Sequence, residues 1–104
     1  MNTTERFLKY VSFETTSDDY SETCPSSEKE WDLARYLEKE MKEVGLTDVR
    51  LDEYGYVYGY LNATPGYENA DSIGLLAHMD TSNAVSGKDI KPRILKYEGG
   101  DIIL

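Results

Sequence analysis

"SIGLLAHMDTSNA", residues 72–84, holds the most hydrophobic run of the chain, Ile73 to Ala77. The run is apolar throughout rather than alternating, which suits a central β-strand covered on both faces. It ends on His78, the only histidine, with Asp80 two positions later. In open α/β sheets the ends of central strands open into the crevice where ligands bind. One stretch therefore bears on both the fold and the site.

The flanking sequence supports an α/β reading. Upstream, "DVRLDEYGYVYGYLNA" (48–63) alternates, with Val49 and Leu51 on one face of a first strand. "DEYG" predicts a turn in which Gly55 takes positive φ. In the returning strand Tyr56, Tyr58 and Tyr60 share a half-exposed face, and Val57 and Leu61 share the other. Before this hairpin, residues 28–44 read as a helix, with Trp31, Ala34, Leu37, Met41 and Val44 on one stripe. Ser27 and Glu30 have capping-box spacing. Gly45 offers a left-handed stop, with Leu46 folding back on the last turn. "TERFLKYVSF" (4–13) reads as a shorter helix, capped by Thr3 or Thr4, with Phe7, Tyr10 and Val11 on its stripe. Residues 14–27 form a polar loop, long enough to be either mobile or functional. Residues 81–91 are a second loop, and "PRILKY" (92–97) is a further possible strand. Two helices, a hairpin and a central strand predict an α/β sheet with helices packed against it.

The 104 residues make one small domain at most. A terminus of "GGDIIL" would leave branched apolar side chains in water, so a chain cut within a larger protein is expected. Twenty acidic against eleven basic residues give a net charge of −9. That field repels phosphate backbones and anionic lipid, which argues against nucleic-acid and membrane partners. No apolar run approaches the roughly 20 residues of a membrane helix. The N-terminus lacks the features of a signal peptide. A single cysteine, Cys24, cannot form an internal disulfide, and a reducing, cytoplasmic location follows as the simplest reading.

Neutral imidazole binds zinc through one nitrogen, and its other N–H needs an acceptor to fix the tautomer. Asp80 stands where it can turn back to be that acceptor. A lone histidine after a strand is nevertheless usually only a histidine, and one imidazole cannot hold zinc. No nucleophile elbow or phosphate-binding glycine loop is present. The carboxylate pairs Asp18–Asp19 and Asp52–Glu53 lie in loop and turn contexts.

"GLLAHMDTS", preceded by "LDEYGYVYGYL" and followed by "SGKDIKPRILKYEGGDIIL", resembles the peptidase T family. "ERFLKYVSFETTSDD" and "CPSSEKEWDLARYLEKEMKEVGL" extend the likeness over essentially all of residues 1–104. These tripeptide aminopeptidases sit among the co-catalytic di-zinc metallopeptidases, with aminoacylases and carboxypeptidase G. The resemblance implies the N-terminal portion of a zinc-exopeptidase catalytic domain, a mixed sheet flanked by helices. It implies that His78 binds one of two zinc ions. It also implies that Asp80, placed with the catalytic residues, hydrogen-bonds and tunes that histidine. The remaining ligands, the general base and a lid domain would lie downstream of this chain. The implied activity is zinc-dependent release of the N-terminal residue from tripeptides, with the isolated chain inactive. Family dimers form largely through the lid, so a homodimer is a property of the complete protein only. The alternatives are a deacylase or dipeptidase of the same family, or a non-catalytic acidic interaction module with a self-contained core.

Overall fold

Asn2, rather than Thr3 or Thr4, starts the first helix, α1 (Thr3–Tyr10). Its side chain accepts from the Glu5 N–H at 2.9 Å, and the Glu5 carboxylate accepts from the Asn2 N–H at 2.7 Å. That reciprocal pair satisfies two donors the helix leaves open, so the start moves back to the first residue able to make it. In the computed structural model, which describes residues 1–103, α1 is followed by α2 (Glu30–Glu43), β1 (Thr47–Leu51) and β2 (Val57–Tyr60). Leu104, the last residue of the apolar tail, lies outside the described residues.

At the start of α2 only half of the expected capping box forms. The Glu30 carboxylate accepts from the Ser27 N–H at 3.2 Å and from the Ser26 hydroxyl at 3.0 Å. In return the Ser27 hydroxyl accepts from the Lys29 N–H at 3.4 Å and not from that of Glu30. The C-terminus follows its expected geometry: Gly45 sits at φ +93°. The Leu46 N–H reaches the Met41 carbonyl at 3.0 Å and the Gly45 N–H reaches that of Lys42 at 3.2 Å. This double closure satisfies the last carbonyls of the helix. It also turns Leu46 back toward Met41.

β1 and β2 form an antiparallel hairpin, with Leu51 opposite Val57, Arg50 opposite Tyr58 and Thr47 opposite Tyr60. Asp48 and Val49 together oppose Gly59, a bulge in which Asp48 takes φ +48°. Gly55 takes φ +84° at the turn, as expected, and is packed against Pro25. The tyrosine face is open to solvent, and the Arg50 guanidinium lies 4.5 Å from the centre of the Tyr58 ring. Leu61 falls beyond the paired region and is exposed.

The hairpin packs on α2 through Gly59. A Cβ there would lie 2.9 Å from Leu46 Cδ1 and 3.3 Å from Met41 Sδ. Gly59→Ala is therefore expected to destabilise the fold by about 1–3 kcal/mol through overpacking. A urea denaturation midpoint shifted down at unchanged slope would show it.

The structure departs from expectation at the apolar run before His78. Ile73–Ala77 is not a strand and is not buried; Ile73, Leu75 and Leu76 are 87, 94 and 96% exposed. Residues 92–97 are likewise irregular and exposed. A strand exists only through its partners' hydrogen bonds, and the one sheet among the described residues is the two-stranded hairpin. Without a third strand to pair with, the apolar run lies unpaired and exposed to solvent. The result is a small α/β arrangement, not a completed mixed sheet. Among the described residues only Leu33 and Ala34 are buried apolar side chains. The radius of gyration is 17.0 Å, against about 13 Å for a compact chain of this length. The accessible surface is 9026 Å², against roughly 5900 Å² for a compact monomer of this mass. Among the described residues no helix is long and apolar enough to cross a membrane.

Candidate metal centre

The two helices meet across a polar link. Glu40 on α2 is 7% exposed. It accepts from the Arg6 guanidinium at 2.6 Å, from the Tyr10 hydroxyl, and from the Tyr36 hydroxyl at 3.3 Å. Burial and then the Glu40 carboxylate raise the Tyr10 pKa above its ordinary 10.0, and the same influences raise that of Tyr36. The folded state thus holds these phenolic protons more tightly than the unfolded chain does. Their contribution is complete below about pH 10 and is lost as the pH rises through the folded-state values. Thermal stability is expected to fall above about pH 10. In Tyr10→Phe the melting temperature should decline less steeply over the same range.

Beside this link an open groove of about 1270 Å³ runs between the helices and the segment that carries His78. Phe7, Val11, Leu37 and Met41 line one wall, and Leu75, His78 and Asp80 lie along the other. His78 and Asp80 are brought together, with Nδ1 of the ring 3.0 Å from Oδ1 of the carboxylate. The His78 side chain is 84% exposed and that of Asp80 44%. A carboxylate accepts only, so this hydrogen bond needs a proton on Nδ1, and in the neutral ring that tautomer leaves the Nε2 lone pair free. That donor chemistry fits one position in a zinc ligand set. It fills no more than one: among the described residues no three His, Cys, Asp or Glu side chains gather to hold a metal ion. Cys24 lies instead against the hairpin turn, its Sγ 3.4 Å from the Tyr54 carbonyl oxygen.

The long polar loop holds the residues that sequence reasoning missed. Thr16 forms a parallel bridge with Thr81. The Thr81 N–H donates to the Thr15 carbonyl at 3.0 Å, and the Ser17 N–H donates to the Thr81 carbonyl at 3.0 Å. Thr15 is 4% exposed. The available signal was the β-branched pair Thr15–Thr16, which suits a short pleated contact.

The chain is 52% identical over 101 residues to peptidase T of Caldanaerobacter subterraneus subsp. tengcongensis. It is 48% identical to peptidase T of an Exiguobacterium species and 46% identical to that of Geobacillus thermodenitrificans. The chain is a relative of peptidase T. Each match covers 96% of the chain but 24% of the relative, so the chain spans about a quarter of the length of the peptidase T sequences it matches. No family model matches the chain. The matched region includes essentially the whole hairpin, the groove and the histidine–aspartate pair, on a chain too short to bring the rest of peptidase T with it.

Proposed function

We propose that this chain is the N-terminal, ligand-bearing part of a zinc-dependent aminopeptidase that releases the first residue of tripeptides in the cytoplasm. The observation that carries the reading is the 3.0 Å contact between His78 and Asp80, in a chain that matches peptidase T over 96% of its length. In this reading His78 supplies one imidazole ligand through Nε2. Asp80 accepts the Nδ1 proton, holds the ring in one tautomer and makes Nε2 a stronger donor. Zinc, when bound, lowers the pKa of water and polarises a peptide carbonyl. The exposed ring lies along the open groove of about 1270 Å³, where a short peptide would bind in this reading.

Two features argue against a stand-alone interaction module. Such a module needs a core of its own, and here only Leu33 and Ala34 are buried apolar side chains among the described residues. The apolar run beside His78 is left uncovered as well. The histidine–aspartate pair alone does not separate this reading from a deacylase or dipeptidase, which substrate preference distinguishes.

The test is hydrolysis by the polypeptide extended to the length of its relatives. Tripeptides should be cleaved in preference to dipeptides and N-acyl amino acids, with activity lost to a chelator and restored by zinc. The 104-residue chain alone should show no turnover. Chelator-resistant cleavage, or preference for an N-acyl amino acid, would overturn the assignment.

A further inference from the structure

The segment that bears the proposed ligand is almost free of the rest of the molecule. Among the described residues, Asp71 to Met79 make no hydrogen bond or ion pair except that of His78 to Asp80. The next residue, Thr81, is held from both sides. Its N–H donates to the Thr15 carbonyl, and its carbonyl accepts from the Ser17 N–H at 3.0 Å and the Ser17 hydroxyl at 3.2 Å. The Thr15 and Thr81 hydroxyl oxygens lie 3.4 Å apart. Gly87 closes over the bridge, so near that a Cβ there would lie 3.1 Å from Thr16 Cγ2. The other end of the clamp is anchored: Thr15 is buried, and its neighbour Glu14 pairs with Lys29 at 2.8 Å just before α2.

We infer that Thr15 and Ser17 are positioning residues, which by clamping Thr81 fix the chain direction at Asp80 and so aim the His78–Asp80 pair. The inference rests on reading His78 as a ligand only for its purpose, since the clamp itself is a property of the metal-free chain. An acceptor two residues from the ring can reach Nδ1 only while the backbone between them keeps both side chains on one side. Nothing upstream supplies that restraint, so it comes from the residue immediately downstream. Losing the clamp frees the ring to exchange tautomers and lowers the fraction of rings ready to bind.

His78 is the only histidine, so its ring nitrogens can be followed by nitrogen-15 NMR without ambiguity. In mildly alkaline buffer an ordinary imidazole is neutral and its two tautomers are resolved by shift. The wild-type ring should be held mainly as the Nδ1–H tautomer, and Asp80→Ala defines the unbraced ratio. Ser17→Pro removes the N–H that donates to Thr81 and should move the ratio to that of Asp80→Ala. Thr15→Val removes one hydroxyl and should move it part of the way, which keeps the test open if the proline variant does not fold. Glu40→Gln weakens the helix pair without touching the bridge and should leave the ratio unchanged. A wild-type ratio in a folded Ser17→Pro or Thr15→Val variant would overturn the inference, as would an equal shift in Glu40→Gln. No metal enters this readout, so its failure is distinct from failure of the ligand assignment, which zinc content tests.

Discussion

Under the proposed zinc-aminopeptidase reading, replacing His78 by alanine in the polypeptide extended to the length of its relatives is expected to remove one bound zinc and reduce tripeptide hydrolysis to background. In the 104-residue chain the side chain is 84% exposed, so there its loss opens no cavity and costs little folding energy. Far-ultraviolet circular dichroism should be unchanged while metal content and turnover fall together. Asp80→Ala acts one step removed. It leaves the ligand but frees its tautomer, and should weaken metal binding or activity by about 10–100-fold. If His78→Ala kept both its metal and its turnover, the histidine would be only an exposed surface residue.

Glu40→Ala should have the largest effect on stability. The carboxylate is buried and serves Arg6, Tyr10 and Tyr36 together, linking α1 to α2. Removing it leaves the Arg6 guanidinium, 29% exposed, without its partner in a site that water only partly reaches. A loss of about 2–3 kcal/mol is expected, below the full cost of an unpaired buried charge because Arg6 retains some solvent. Urea unfolding followed by helix signal would measure it. Glu40→Gln keeps an acceptor and should lose about half as much. A change under about 0.5 kcal/mol in Glu40→Ala would place this link among ordinary surface pairs.

Local features were legible where chemistry acts over a few residues. Gly45 and Gly55 take positive φ as expected, because no side chain competes for that conformation. Val49, Leu51 and Val57 alternate inward because a strand has period two. The reach of Asp80 to the His78 ring was foreseeable from a two-residue spacing. The α2 stripe was only partly legible. Trp31, Ala34, Leu37 and Met41 lie at least half-buried as read. Val44, on the same stripe, is exposed, while Leu33 and Glu40 are buried. The face was read from apolar residues alone, and a carboxylate satisfied by Arg6 and two tyrosines breaks that rule. Ile73–Ala77 failed for the opposite reason. Its composition states what it needs, cover on both faces, and the described residues do not supply that cover. The Thr16–Thr81 bridge was hidden because two polar positions so far apart in the chain carry no periodicity.

Diffraction at the zinc absorption edge, from crystals of the full-length polypeptide grown with zinc, tests the central claim most directly. The account predicts an anomalous peak about 2.0–2.1 Å from Nε2 of His78, with Asp80 still bonded to Nδ1. A bound zinc whose ligand shell omits the His78 ring would contradict it.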